Sequence, residues 1–192
     1  LQKGDVQVST VEHALATLYA YEIDNCLLEV NAPEFPILDG SAKYFVEKIE
    51  EAGIEEQNAD KDYYIVRKKI EHFIPETGAK ITILPDDNFS IDVHIGFKSH
   101  VLGNQFASLD QLKDFPSEIS AARTFVFVRE VEPLLNMNLI KGGDLKNAVV
   151  IYDEVIAQEN MDRLADKLHQ DRIDASVPRY LTSLNFENEP AR

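Results

Sequence analysis

A carboxylate and an imidazole stand side by side at Glu12 and His13, the pair of side chains in this sequence best suited to chemistry. The run Ser9-Thr10-Val11-Glu12 has the form of a capping box, which predicts that a helix begins here. The first turn of a helix offers free N–H groups and the positive end of its dipole, which stabilise anions. One residue of the pair could therefore hold a metal ion while the other takes a proton from water.

The same glutamate also has a purely structural explanation. Capping alone accounts for Glu12, and from the residues alone we favour that interpretation. The sequence has no His-Glu-x-x-His run, no cysteine pair for zinc and no Gly-x-Ser-x-Gly elbow, and Gly142-Gly143 is a weak signal for a phosphate loop. The five histidines are too far apart to form a local zinc motif: His13, His72, His94, His100 and His169.

The composition excludes some function classes. The chain has 192 residues, of which 44% are hydrophobic and 28% charged, as is ordinary for a globular protein. Its net charge of -15 repels phosphate backbones and argues against a general nucleic-acid binder, although a few local cations could hold a small anion. No stretch approaches the roughly 20 apolar residues of a membrane span. We expect a reducing cytoplasmic setting, and an N-terminus upstream of Leu1.

The periodicity predicts the elements that position the pair. Helical spacing predicts a helix over residues 10–21, and an apolar run predicts a buried strand from Ile23 to Asn31 that contains the single cysteine, Cys26. A second helix follows the turn Asp39-Gly40-Ser41 and ends at Gly53, a natural C-terminal cap. The period then changes, and we place a domain boundary near residue 59.

The second part of the chain alternates between strand and helix signals. Residues from Tyr63 to Ile74 look extended. Ala79–Ile83 and Phe89–Phe97 alternate apolar and polar residues, which predicts an antiparallel hairpin with one wet face and a turn at residues 85–88. Four further elements follow: a short helix near Glu118–Ala122, an apolar run Thr124–Val128, a helix Glu130–Met137 and a strand Ala148–Tyr152. An amphipathic helix through Met161, Leu164, Ala165 and Leu168 completes an α+β fold.

Five runs, in this order along the chain, resemble the signatures of the UDP-3-O-acyl-N-acetylglucosamine deacetylases. A single Thr-Val-Glu-His would not be specific, but five ordered matches from one end to the other are. They are Val8-Ser9-Thr10-Val11-Glu12-His13-Ala14-Leu15, Glu29 to Ala42, Ala121-Ala122-Arg123-Thr124-Phe125-Val126-Phe127, Gly142-Gly143 before the strand, and Phe186-Glu187-Asn188-Glu189-Pro190-Ala191-Arg192.

The resemblance implies a fold and a reaction. The family has two similar α+β domains with helices sandwiched between two sheets, so residues 1–59 would be the later part of domain one and residues 60–192 most of domain two. The reaction removes the acetyl group from a small-molecule substrate, a UDP-linked, 3-O-acylated N-acetylglucosamine, and commits it to lipid A. The family's Zn²⁺ is held by two His and one Asp, activates water and polarises the amide carbonyl.

The resemblance also implies roles for particular residues. His13 would be a zinc ligand, Glu12 the general base and Thr124 the donor to the oxyanion. Phe97 would lie near the nucleotide. The acyl-chain passage would be lined by Phe125, Phe127 and Val131, with Gly143, Asp144, Leu145, Ala148 and Val150 on its far side. Ordinary core packing is the alternative for each apolar member. Asp39 and Ser41 look like turn and cap residues.

Three departures from the family pattern qualify these roles. The family's other two zinc ligands lie in a His-x-x-x-Asp helix just beyond the run that ends at Arg192, so we expect this chain alone to bind zinc weakly and to be inactive. The opening strands of domain one are missing, so we expect an exposed sheet edge and a fragment that is unstable or aggregates. The third departure is in domain two, where the run Gly96-Phe97-Lys98-Ser99-His100 differs from the commoner Asp-Phe-x-His-Pro form, which puts the nucleotide contacts in doubt. An acidic insertion near residues 158–184 resembles the subgroup fused to a 3-hydroxyacyl carrier-protein dehydratase.

Two other function classes stay open beside the hydrolase. One is a non-catalytic module that binds a nucleotide-sugar or an acyl chain and has lost its metal site. The other is an α+β interaction domain in which Glu12-His13 is only a cap. A His-x-x-x-Asp run encoded after Arg192 favours the hydrolase. The sequence leaves open the acyl length, the oligomeric state and the choice between zinc and iron.

Overall fold

A computed structural model of the chain describes residues 1–136, 145–168 and 170–192. Within these ranges it forms short helices and small separate sheets, which agrees with an α+β class. The helices are Glu12–Ala20 (α1), Lys43–Ala52 (α2), Phe115–Glu118 (α3), Val128–Asn136 (α4) and Gln158–Lys167 (α5). The strands are Gln2–Lys3 (β1), Val6–Gln7 (β2), Ile70–Ile74 (β3), Ala79–Ile83 (β4), Ile91–Gly96 (β5), Asn104–Leu109 (β6), Phe125–Phe127 (β7), Val149–Tyr152 (β8) and Arg179–Tyr180 (β9).

The start of α1 differs from the predicted capping box. The helix begins at Glu12, and no side chain caps it. The hydroxyl of Thr10 instead donates to the Glu34 carboxylate at 2.5 Å, and the hydroxyl of Ser9 donates to the Pro33 carbonyl at 3.3 Å. Both hydroxyls donate to the neighbouring loop, and neither caps α1, whose N-cap residue is Val11. The capping explanation for Glu12 therefore fails.

The predicted buried strand from Ile23 to Asn31 is wrong. This segment has no ladder partner within the described ranges, and Leu27, Leu28 and Val30 are exposed, with Leu27 at 82%. The thiol of Cys26 is exposed as well, contrary to the prediction of a buried thiol. An apolar run becomes a strand only where a neighbouring strand can take its backbone hydrogen bonds, and the sequence of the run does not show whether one is present.

The strand pairing after residue 59 also differs from the prediction. β4 pairs with β3, in the register Ile70↔Ile83 and Ile74↔Ala79. β5 pairs with β6, in the register Ile91↔Leu109. Each hairpin therefore closes locally, and the predicted hairpin between residues 79–83 and 89–97 does not form. The strand β6 was missed, since only two of its side chains are large and apolar, and Gln105 is one of its buried residues.

The expected single wet face is found in the β5–β6 hairpin, where Val93, Ala107 and Leu109 lie on the less exposed face. Both faces of the β3–β4 hairpin are exposed. Alternation does place isoleucines on one face and charged residues on the other. The register puts four isoleucines on the same face, and all of them are exposed: Ile70, Ile74, Ile81 and Ile83. Phe73 lies on the other face and is 57% exposed.

Most of the later elements agree with the sequence prediction, but the short helix predicted near Glu118–Ala122 lies earlier, at Phe115–Glu118, and β9 was not predicted. β7 and β8 pair in parallel, in the register Phe125↔Val149, and α4 follows β7 directly. β9 adds to the other edge of β8 in the antiparallel sense. The predicted amphipathic helix is α5, which buries Met161, Leu164 and Ala165.

Three apolar clusters hold these elements together. The first joins α4, β8 and α5, and includes Val131, Val150 and Met161. The second joins the α1–α2 region to β6 and α3, through Ala20, Val46, Leu109 and Phe115 among others. The third covers the opposite face of β8, and its buried members are Leu102, Phe127, Val149 and Ile151.

The second cluster contains residues from both sides of position 59, while the division of the chain into two domains stays a prediction.

Among the described helices, none has the length and apolar content needed to cross a membrane.

Candidate active site

The Glu12-His13 pair lies in the first turn of α1. Glu12 is exposed, and His13 is half-buried. The hydroxyl of Thr17, which is fully buried, donates to the His13 carbonyl at 2.8 Å and fixes the backbone of the pair against the helix. Because no side chain caps α1, its first N–H groups remain available to an anion. The arrangement places the Glu12 carboxylate, a chemically suitable proton acceptor, beside the His13 imidazole, a chemically suitable metal ligand.

The chain before α1 is anchored to the loop that contains Pro33 and Glu34. The Ser9 amide donates to the Pro33 carbonyl at 2.9 Å, and the Phe35 amide donates to the Ser9 carbonyl at 3.1 Å. Thr10 adopts a positive φ of 54°, a strained conformation for a β-branched residue. The Thr10–Glu34 hydrogen bond helps to hold this conformation. The start of α1 is therefore anchored to the loop that contains Glu34.

Thr124 is held through its backbone and leaves its side chain exposed. Its amide donates to the Gly40 carbonyl at 2.7 Å, and its carbonyl accepts from the Val149 amide at 2.8 Å. The residue therefore lies between the loop before α2 and the sheet that contains β8. A hydroxyl on a fixed backbone is a suitable donor to an oxyanion, because little reorganisation is needed when charge develops.

The loop that contacts Thr124 is built by Asp39 and Ser41. The Asp39 carboxylate accepts from the Ser41 amide at 3.1 Å and from the Ser41 hydroxyl at 2.8 Å. The Ser41 hydroxyl in turn accepts from the Lys43 amide at 3.2 Å, at the start of α2. These contacts agree with turn and cap roles for both residues. Gly40, between them, has a positive φ of 78°.

Three of the predicted substrate residues form one aromatic cluster. The rings of Phe97, Phe125 and Phe127 pack edge to face, with centroids 5.4 Å apart for Phe97–Phe125, 6.3 Å for Phe97–Phe127 and 6.1 Å for Phe125–Phe127. The guanidinium of Arg129 lies 4.0 Å from the centroid of the Phe127 ring. Phe97, expected near the nucleotide, therefore contacts the two rings expected in the acyl passage.

The other predicted passage residues lie on the opposite face of β8. Val131 and Val150 are buried in the first cluster, and Leu145 and Ala148 pack against it. Successive residues of a strand point to opposite faces, which explains why Val150 is separated from the aromatic rings. Gly143 and Asp144 lie outside the described residues, as does His169. The acyl-chain passage stays a prediction, with its proposed lining divided between two faces of one sheet.

The described part of the chain contains no group of three or more His, Cys, Asp or Glu residues placed to hold a metal ion. Catalytic zinc sites usually have three protein ligands. His13 is a chemically suitable ligand, but the residues that the structure describes do not complete a zinc site around it.

A buried ion pair next to Thr124 was not predicted from the sequence. Arg123 and Glu189 are 9% and 0% exposed in their side chains, and the Arg123 Nε lies 2.9 Å from Glu189 Oε1. Both residues belong to runs that resemble the family, but 66 positions separate them and neither was assigned a role. Burial opposes ionisation of Glu189, yet hydrogen bonds from Arg123 and from the Asn185 amide outweigh it and lower the pKa of Glu189.

The fold and the candidate site define an α+β protein with a carboxylate–imidazole pair at the uncapped start of a helix and a fixed threonine. The model of the UDP-3-O-acyl N-acetylglycosamine deacetylase family, LpxC, matches residues 1–173. The chain belongs to this family.

Relatives agree with this assignment. The chain is 56% identical to the bifunctional enzyme LpxC/FabZ of Porphyromonas gingivalis and 53% identical to that of Bacteroides thetaiotaomicron, in both cases over 100% of this chain and 42% of the relative. It is 38% identical to the UDP-3-O-acyl-N-acetylglucosamine deacetylase of Teredinibacter turnerae, over 98% of this chain and 63% of the relative. The chain thus spans less than two thirds of the length of these relatives.

Proposed function

We propose that this chain is part of a zinc-dependent deacetylase. The complete protein would hydrolyse the N-acetyl group of UDP-3-O-(3-hydroxyacyl)-N-acetylglucosamine, the committed step of lipid A biosynthesis. The observation that carries the proposal is the family match over residues 1–173, since this range contains Glu12, His13 and Thr124. The names of the relatives support the same substrate class.

The proposed roles follow from the surroundings of each side chain. Glu12 is exposed in the first turn of α1, where it can accept a proton from the attacking water. Thr124 donates its hydroxyl to the oxygen of the tetrahedral intermediate from a backbone fixed by Gly40 and Val149. His13 contributes one zinc ligand, and the remaining ligands are part of the proposal for the complete protein.

The first experiment is to sequence the source gene through and past the codon for Arg192. A His-Lys-x-x-x-Asp-type run directly after it supports the deacetylase. A stop codon at that position would contradict the enzyme proposal. It would favour a module that binds a nucleotide-sugar or an acyl chain without the metal.

The second experiment measures acetate release by the complete protein. Glu12→Gln keeps the shape of the side chain but removes the base, and should lower kcat by about 10²–10⁴-fold with little change in KM. Glu51→Gln, which alters an exposed glutamate of α2, is the matched control and should leave kcat unchanged. A Glu12→Gln enzyme with full kcat contradicts the assigned role.

A further inference from the structure

The carboxylate of Glu189 is saturated with hydrogen bonds from two backbone amides and one guanidinium. Its Oε1 accepts from the Arg123 amide at 2.9 Å and from Arg123 Nε at 2.9 Å. Its Oε2 accepts from Arg123 Nη2 at 3.2 Å and from the Asn185 amide at 2.6 Å. A carboxylate that is fully buried and held in this way has one permitted position, because moving it leaves several charge-assisted bonds broken.

These bonds act on the backbone as well as on side chains. Glu189 fixes the Arg123 amide, Gly40 fixes the Thr124 amide at 2.7 Å and Val149 fixes the Thr124 carbonyl at 2.8 Å. Three polar backbone groups around the Thr124 side chain are therefore tied to three different parts of the chain. The side chain of Thr124 is exposed, while the backbone on both sides of it is held by these hydrogen bonds.

The Arg123–Glu189 pair lies within a set of hydrogen bonds that joins two distant segments of the chain. Arg123 Nη2 donates to the Ser183 carbonyl at 2.6 Å, and Asn185 Nδ2 donates to the Ala121 carbonyl at 2.9 Å. Arg192 Nη1 donates to the Glu118 carbonyl at 2.9 Å. Residues 183–192 are thus fastened along residues 118–123, immediately before Thr124.

A buried ion pair is weak evidence for stability, because desolvation of both charges offsets their attraction. Its fixed geometry is the stronger reason to expect a role. We propose that Arg123 and Glu189 are positioning residues that hold the Thr124 hydroxyl at the oxyanion. The inference rests on the proposed function, since it assigns the pair an effect on the same reaction.

The test is a double-mutant cycle in the complete protein. Glu189→Gln keeps the size of the side chain but loses the charge and cannot accept all four bonds. It should lower kcat by about tenfold or more, since small misplacements of catalytic groups have large effects. In a Thr124→Ala background the same change should lower kcat by less than about twofold, because the group that it positions is gone. KM should stay unchanged in both backgrounds.

Hydrogen exchange provides a readout that does not depend on activity. The Thr124 amide should exchange about tenfold faster or more in Glu189→Gln than in the wild type, as its backbone becomes mobile. The control is Gln158→Ala, which removes the bond from Gln158 Nε2 to the Ile173 carbonyl at 2.8 Å and the bond from the Ala175 amide to Gln158 Oε1 at 3.0 Å. It should lower stability and leave both kcat and Thr124 exchange unchanged.

Equal losses of kcat in the two Thr124 backgrounds, or unchanged exchange at Thr124, overturn the positioning role. If Glu189→Gln does not fold, Arg123→Lys serves in the same cycle, since it keeps the charge but loses the two-pronged contact. Absence of acetate release by the wild-type protein would instead refute the proposed function, and the exchange measurement would still decide whether the pair holds Thr124.

Discussion

Gly40 lies so close to the main chain of Asn147 that a Cβ atom on Gly40 would stand 1.9 Å from the Asn147 carbonyl oxygen. The φ angle of Gly40 is +78°, which side chains of L-residues rarely adopt. The carbonyl of Gly40 also accepts the hydrogen bond of the Thr124 amide. The close contact with Asn147 and the positive φ both require glycine at this position. Because Gly40 also accepts the hydrogen bond of the Thr124 amide, a shift of Gly40 would move the candidate oxyanion donor.

Replacement of Gly40 by alanine should be strongly destabilising. A left-handed backbone costs alanine about 1–2 kcal/mol and overpacking adds about 1–3 kcal/mol, so we expect the free energy of unfolding to fall by about 3 kcal/mol. Chemical denaturation measures this. The control is Gly78→Ala, where φ is +72° and nothing lies within 4 Å of the added Cβ, and it should cost only about 1–2 kcal/mol, the cost of the left-handed backbone. Equal losses at the two positions would show that the contact with Asn147 is unimportant.

The stability that Glu189 contributes should depend on pH. Its folded pKa is lowered, so its contribution is fully present above the unfolded pKa of about 4.3 and is lost as pH falls through the folded pKa. The difference in unfolding free energy between the wild type and Glu189→Gln should therefore be constant above about pH 5 and shrink below about pH 4.

Urea denaturation across this pH range measures the difference, and Glu51→Gln is the control because Glu51 is exposed on α2. A difference for Glu189→Gln that grows as the pH falls would contradict the lowered pKa.

The sequence predicted the elements that rest on local contacts. Gly53 ends α2 with φ +77°, as expected for a glycine C-cap, and α5 buries the predicted residues Met161, Leu164 and Ala165. Apolar spacing and a cap residue are sufficient for such elements, because a helix satisfies its own backbone hydrogen bonds.

Pairing between distant segments could not be predicted in the same way. The alternation of Ala79–Ile83 was recognised, but its partner was assigned to the following strand instead of the preceding one. The Arg123–Glu189 pair was missed because a charged residue in a sequence looks the same whether it is solvated or buried against a partner. The Glu12-His13 pair was recognised, but the sequence did not show that its helix start is uncapped or that Ser9 and Thr10 bind a loop more than 20 residues away.

The isoleucine face of the β3–β4 hairpin should make this chain associate with itself when it is expressed alone. Ile81 and Ile83 are 59% and 45% exposed on β4, on the same face as two further exposed isoleucines of β3. Contiguous exposed apolar surface favours association. Sedimentation should show concentration-dependent oligomers, and Ile81→Glu combined with Ile83→Glu should shift them towards the monomer.

That double variant also makes the net charge more negative by two units, which needs a control. Lys113→Glu changes the net charge equally, at an exposed position outside the hairpin. It should leave the association unchanged. A monomeric wild-type chain, or equal effects of the two charge changes, would contradict a role for this face.

Zinc binding by the 192-residue chain alone should be weak. His13 is the predicted ligand, and the described residues contain no cluster of three potential ligands. One imidazole ligand does not compensate for dehydration of the ion, so we expect a Kd weaker than about 10 μM, well above that of complete protein zinc sites. Calorimetric titration with zinc should give little difference between the wild type and His13→Ala, with His72→Ala, at an exposed position on β3, as the control. The isolated chain should also release no acetate from the substrate. Stoichiometric tight zinc that is lost in His13→Ala alone, or measurable deacetylation by this chain, would show that the site is complete without further residues.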